Sequence, residues 1–194
     1  MPKIVDHEAN RAELLEASLA VVARVGYGSI SMKQLAKSLG VSTGSIYLYF
    51  ENKEDWFVSL TAHHSAAMFA LLAEEVPVDV PVAERARAVI EHMDRYKEYY
   101  ANIISVVTDY VRMPEKETSQ GAEQLTAIGD QFYSGAAELF ETDEQTARVL
   151  MAHLVGVITT NRLDPRGIDI KAHLPVVQTI LEQSAWVEGS GAVE

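Results

Sequence analysis

The sequence predicts an all-α protein, and three observations carry that expectation. Apolar residues recur at three- and four-residue spacing in segment after segment, and no stretch alternates apolar with polar as a half-buried strand does. Glycine and proline fall between these segments, where chain breaks belong. The stretch Ser31–Lys53 reads as two short helices joined by a tight turn. About nine helices are expected: a three-helix helix-turn-helix head followed by a larger helical body.

Residues 8–25 open the chain as a helix with Leu15, Leu19 and Val22 on its buried stripe, ended by Gly26. Ser31 is a good N-cap for the next helix, with Gln34 at the capping-box position. Leu35, Ala36 and Leu39 give that helix an apolar stripe, and Gly40 supplies the left-handed residue that stops it. Ser42 caps a further helix carrying Ile46 and Phe50, four apart on one face. Asn52 caps a long helix, Lys53 to about Glu75, with Glu54 and Asp55 in its first turn, where the dipole favours acids. At 1.5 Å per residue it spans about 35 Å, long enough to link a head to a body.

Val76–Pro81 breaks the pattern as a loop, and a helix follows from Val82 to about Tyr100. Residues 101–112 continue it or form a kinked second piece before Pro114. Lys116–Phe140 is the next helix, weakened by Gly121, Gly129 and Gly135. Thr142 is the expected cap of a helix running to about Leu163, and Asp164-Pro165-Arg166-Gly167 ends it. The last helix covers about Ile170 to Val187, and residues 188–194 read as a disordered tail. The expected division is therefore 1–52, 53–187 and the tail.

Composition narrows the function. There is no cysteine, so no disulfide framework and no thiolate nucleophile or metal ligand. The N-terminus lacks the apolar run of a signal peptide, and no stretch approaches the roughly 18 apolar residues of a membrane span; a cytoplasmic protein without a membrane partner is expected. Taken over the whole chain, a net charge of −12 opposes DNA binding, which needs cations. Its distribution answers this. Residues 1–57 hold six Lys or Arg against seven Asp or Glu, whereas residues 58–194 hold ten against twenty-one. Residues 29–53 hold three lysines against one glutamate, a local net of +2.

The run from Gly26-Tyr27 through Ser31-Met-Lys-Gln-Leu-Ala-Lys-Ser-Leu-Gly-Val-Ser-Thr-Gly-Ser-Ile-Tyr-Leu-Tyr-Phe-Glu-Asn-Lys-Glu-Asp-Trp-Phe resembles the N-terminal domain of the tetracycline-repressor (TetR) family of bacterial regulators. The Gly-Tyr, the Gly-Val-Ser turn, the Tyr-x-Tyr-Phe block and the Lys-Glu opening the long helix occur together, over about residues 8–60. The resemblance implies a homodimer on a near-palindromic double-stranded DNA operator, usually a repressor, released when a small-molecule effector enters each subunit's body.

Helix geometry sorts the reading head. On a wheel centred on Ile46, Phe50 falls beside it, while Gly44 and Leu48 fall opposite. An outward Leu48 suits contact with a thymine methyl in the major groove; otherwise it is an ordinary exposed apolar residue. Ser42, Thr43 and Ser45 stand at the helix start, where free N–H groups and hydroxyls suit phosphates and base edges, with plain capping as the alternative. Tyr47 and Tyr49 can reach phosphates or pack under the head. Lys53, a cation in a helix's first turn, opposes the dipole, and the resemblance puts a phosphate-binding lysine there. Ser31 and Lys33 are further phosphate candidates.

In the body, the resemblance pairs the last two helices with those of a second subunit. Candidate interface residues are Leu150, Leu154, Val157, Leu174, Val177 and Leu181, with an intrachain core as the alternative. An effector site would draw on His64, Met68, Met93, Tyr96, Tyr100, Ile104, Asp109, Phe132 and Tyr133, since methionine and aromatics adapt to varied apolar ligands. Each of these also reads as ordinary core. No cofactor is expected, and no metal: His63 and His64 point about 100° apart on a helix and lack a partner at i+4.

Two rival classes remain. An enzyme would need chemistry that no motif supplies: nucleophile elbow, Walker loop, dinucleotide fingerprint and His-Glu-x-x-His are all absent. A helical protein-interaction module with a decayed head should have lost the cations and outward polar residues that Lys33, Lys53, Thr43 and the tyrosines still provide.

Overall fold

The computed structural model describes residues 7–113, 119–164 and 166–189. Among these, nine α-helices and one 3-10 turn account for the regular structure. They are α1 (His7–Val25), α2 (Met32–Ser38), α3 (Thr43–Tyr47), α4 (Lys53–Glu75), α5 (Val82–Arg95), α6 (Lys97–Val111), α7 (Gln120–Phe140), α8 (Glu144–Leu163), the turn Ile170–His173, and α9 (Leu174–Gly189). The chain forms two compact units, one of Met1–Met68 with Asn102–Ile128, the other of Phe69–Ala101 with Gly129–Glu194.

The first unit is the head together with the chain around α6 and the start of α7. Leu15, Leu19 and Val22 of α1, Leu35 of α2, Ile46 and Phe50 around α3, and Trp56, Phe57 and Leu60 of α4 are buried, as their spacing predicts. An aromatic cluster sits among them. Tyr110 of α6 stacks on Phe57 with ring centroids 3.9 Å apart, and Tyr27 meets both edge-on at 5.0 Å. The Trp56 indole N–H donates to Ser18 Oγ at 3.3 Å, and Arg11 donates to Ser59 Oγ at 2.5 Å. Three short helices bury too little area to stand alone. Tyr110 shows where the missing area comes from: a position 67 residues downstream of the start of α3.

At the joint of α4, α6 and α7, Glu54 accepts from the Tyr110 hydroxyl at 2.6 Å and from Gly121 N at 3.0 Å. Burial and this carboxylate push the Tyr110 hydroxyl's pKa up to about 12. Gly121 is explained here: a Cβ at this position would lie 2.0 Å from Tyr110 Oη. What looks in sequence like a weak point of α7 is a close approach that only glycine permits.

The second unit packs α5, the 3-10 turn, α8 and α9 against one another. Val89, Ile90, Leu150, Leu154, Ile158, Ile170 and Val177 are buried in it. Glu75 gathers a polar knot: His92 Nδ1–H donates to it at 2.8 Å, Arg95 at 2.9 Å and the Tyr96 hydroxyl at 2.8 Å. The His92 and Tyr96 hydrogen bonds hold the Glu75 carboxyl below its ordinary pKa.

Four boundaries differ from expectation. The α5–α6 break falls at Tyr96, not near Tyr100. α8 is capped by Asp143, which accepts from Thr146 N at 2.9 Å, whereas the Thr142 hydroxyl is buried without a partner among the described residues. Asp outranks Thr as an N-cap because its carboxylate also meets the dipole. α3 ends at Tyr47, three residues earlier than a helix through Phe50 requires, and Phe50 is carried by a turn in which its N–H still donates to Ile46 O at 3.1 Å. Residues 170–173 wind as a 3-10 turn before α9. The expected start of α7 at Lys116, with Pro114, Pro165 and the tail from residue 190, lies outside the described residues.

One expectation is corrected by composition. α4 is long and apolar enough to cross a membrane by length and hydropathy alone. Its Trp56, Phe57, Leu60, His64 and Met68 are buried, which is how a core helix passes the same test.

Candidate nucleic-acid interface

The helix-turn-helix is built by local hydrogen bonds. Ser31 Oγ accepts from Gln34 N at 3.2 Å, and the Gln34 side chain accepts from Ser31 N at 2.8 Å, a closed capping box. Gly40 has φ +71°, the left-handed residue that ends α2. Ser42 Oγ then accepts from Ser45 N at 2.9 Å and lies 2.7 Å from Ser45 Oγ. The Ser42 and Ser45 hydroxyls therefore serve α3 itself. Thr43 and Gly44 beside them are exposed, and a Cβ on Gly44 would meet only Ser42 Oγ, at 3.7 Å.

The outward face is the one the wheel predicts. Ile46 is 0% and Phe50 1% exposed, while Leu48 is 72% and Tyr47 50% exposed. Tyr49 divides from Tyr47: its ring packs on His7 with centroids 4.4 Å apart. Lys33 and Ser31 are exposed at the start of α2.

Lys53 has partners within the chain. Its ammonium lies 4.4 Å from the centre of the Tyr27 ring and donates to Gly28 O at 3.4 Å. These contacts compensate its unfavourable place at the helix start without any phosphate. The other backbone group of Gly28 is taken as well, because its N–H donates to Asp109 of α6 at 2.7 Å. The turn between α1 and α2, with Gly26 at φ +88°, is thus pinned from α4 and from α6. Sequence offered no signal for the Asp109 contact, which joins residues 81 apart.

The effector candidates do not gather in one unit. His64, Met68, Ile104 and Asp109 belong to the first, and Met93, Tyr96, Tyr100, Phe132 and Tyr133 to the second. Several have structural employment. His64 is fully buried and donates from Nε2 to Leu15 O at 3.2 Å; burial lowers its pKa. Asp109 holds Gly28, and Tyr96 holds Glu75. Phe132 stacks on Phe69 at 4.4 Å, and Tyr133 lies under the Arg148 guanidinium at 4.1 Å.

The interface candidates need a correction. Leu150, Leu154, Val157, Val177 and Leu181 are buried within the single chain and Leu174 is half-buried, because α8 and α9 pack on each other and α9 also packs on α5. A residue already buried has no surface left to give a partner. Among the described residues, the large apolar side chains these helices leave exposed are Val149, Val155, Leu163 and Val176.

The two histidines set aside in sequence acquire a third neighbour. Glu16 of α1 approaches His63 Nε2 to 3.3 Å and His64 Nδ1 to 3.8 Å.

Comparison with known proteins agrees with this geometry. Residues 14–60 match the family model described as "Bacterial regulatory proteins, tetR family". The fatty acid metabolism regulator protein of Bacillus subtilis is 32% identical over 78 residues, 40% of each chain. The transcriptional repressor AcnR of Corynebacterium diphtheriae is 30% identical over 98 residues, 50% of this chain and 49% of AcnR. The chain thus matches about half the length, or less, of these curated relatives. Among solved structures, the regulator FadR from Bacillus subtilis in complex with stearoyl-CoA superposes with a TM-score of 0.71 at 20% identity, over 87% of this chain and 95% of that one. At that identity the likeness concerns the fold. With the capping box, the Gly40 turn and the outward α3 face all inside it, residues 14–60 are the part of this chain that matches the tetR family of bacterial regulatory proteins.

Proposed function

We propose that this chain is a sequence-specific DNA-binding transcriptional regulator. It works as a homodimer on a near-palindromic operator in the cytoplasm, represses there, and is released when a small molecule occupies its body. The observation that carries the reading is the outward face of α3. Leu48 and Tyr47 are exposed opposite a core formed by Ile46 and Phe50, within the segment that matches the family. An isolated leucine held out beside an exposed Thr43 and Gly44 offers a methyl-reading contact next to backbone that can approach DNA closely. In this reading residues 1–52 recognise DNA and residues 53–187 take the effector and the second subunit.

One head reads about half a site, so two are needed for useful affinity on an acidic protein with few local cations. The exposed Val149, Val155, Leu163 and Val176 of α8 and α9 supply the apolar face for the second copy.

The test is footprinting of purified protein on DNA upstream of its own gene, with sedimentation alongside. Protection of an inverted repeat by a particle of twice the 21.4 kDa chain mass is the expected result. Stearoyl-CoA, present in the FadR structure, is the first compound to try for release. A monomer at micromolar concentration, or binding without any preferred site, overturns the reading.

A further inference from the structure

We infer that Glu16, His63 and His64 form a divalent transition-metal site that joins α1 to α4, with zinc as the best-suited ion. Their ligand atoms, one carboxylate oxygen and two imidazole nitrogens, all lie within 4.8 Å of one another. The 100° separation of adjacent helical residues does not keep the two rings apart. They stand nearly perpendicular, at 83° with centroids 5.1 Å apart, and present different nitrogens to the same place. His63 uses Nε2, 3.3 Å from Glu16 Oε2, and His64 uses Nδ1, 3.8 Å from the same oxygen.

His64 has the arrangement of a metal-binding histidine. Its Nε2–H donates to Leu15 O at 3.2 Å, which fixes the tautomer and turns the lone pair of Nδ1 toward Glu16. A backbone carbonyl in this orienting role is common behind zinc-bound imidazoles. The ring is fully buried, so its position is set by the core before any ion arrives.

The size of the gap fits as well. Ligands 2.0–2.1 Å from a tetrahedral zinc stand about 3.3 Å from one another. The observed separations require closure by less than about 1.5 Å at the widest. His63 and Glu16 have side chains 28% and 65% exposed and can make that movement while His64 stays in place. Two imidazoles and a carboxylate favour zinc, nickel or copper over calcium or magnesium, which prefer all-oxygen shells. Three protein ligands leave a fourth position for water on the exposed side, so the site exchanges its ion with solvent. Imidazole binds a metal ion in its neutral form, so occupancy of such a site rises with pH.

The test uses the full, untagged chain freed of metal with a chelator. Zinc is titrated by calorimetry at pH 7.5, and cobalt is added in parallel to read the visible bands of a low-coordinate site. The expected result is one ion per chain with a dissociation constant at or below about 10 μM, and a rise in Tm on saturation. Glu16→Gln and His63→Gln change exposed or half-exposed side chains and leave His64 in the core. Each should weaken zinc at least about 10-fold, the lower end of what loss of a mere orienting partner costs. Full-strength binding in both variants would place the ion elsewhere, with the His153 and His173 pair as the first alternative, and would overturn the assignment. Absence of binding up to 1 mM zinc (about a hundred times the expected constant) would overturn it too, leaving an ordinary His63–Glu16 ion pair.

Discussion

Replacing Gly121 by alanine should destabilise the protein, although alanine is the better helix former. The new Cβ would lie 2.0 Å from Tyr110 Oη, 2.5 Å from Tyr110 Cζ and 3.0 Å from Glu54 Oε1. Ordinary contact begins near 3.4 Å, so the tyrosine must retreat by about 1.4 Å. Its ring has nowhere to go, being fully buried and stacked on Phe57 at 3.9 Å with Tyr27 against its edge. The start of α7 must move instead, stretching the 3.0 Å bond from Gly121 N to Glu54. Overpacking of this kind costs about 1–3 kcal/mol, against about 1 kcal/mol of helix propensity gained. The net loss, up to about 2 kcal/mol, lowers Tm by up to about 8 °C in a chain of this size. Gly135→Ala supplies the control within the same helix, because a Cβ there meets nothing within 4 Å. It should raise Tm by a degree or more, propensity being all that changes. Thermal unfolding followed by circular dichroism compares the two. A Gly121→Ala protein as stable as Gly135→Ala would refute the close approach and the Glu54 joint with it.

Further expectations concern the head and pH. Leu48→Ala should change operator preference while Tm stays within about 1 °C, since the side chain is 72% exposed; a large Tm loss would show it to be buried. Lys53→Ala should flatten the salt dependence of DNA binding by about one unit if the lysine meets phosphate. It should also cost about 0.5–1 kcal/mol through the lost Tyr27 contact, and an unchanged salt slope would reduce Lys53 to that structural role. Desolvation, and secondarily His173, lowers the His153 pKa below its ordinary 6.5. The unfolded chain then binds the extra proton as pH falls below about 6.5, so this contribution is fully present above that pH and lost on acidification. His153→Gln should therefore lose less Tm than the parent between pH 7.5 and 5.5; parallel losses would exclude His153 as a source.

How much was legible follows the range of the interactions. The capping box at Ser31, the left-handed Gly40 and the cap at Ser42 are contacts between residues three or four apart, and sequence shows such pairs directly. The same holds for the outward Leu48, because a wheel needs only the helical period. The break at Tyr96 was misplaced because Tyr96, His92 and Arg95 meet on Glu75, a carboxylate 17 to 21 residues away. The interface residues were misjudged for a related reason. Periodicity reports that a face is apolar but not what covers it, and α8 and α9 cover their own leucines.

Sequence alone determined the helical class, the helix-turn-helix and its outward face, since these rest on local periodicity and capping. Only the tertiary structure decided that Asp109 and Lys53 hold the two backbone groups of Gly28, and that Tyr110 and Glu54 seat the start of α7. It alone brought Glu16 to two histidines 47 and 48 residues away. Those contacts join helices through side chains whose sequence separation carries no period, so no pattern along the chain announces them.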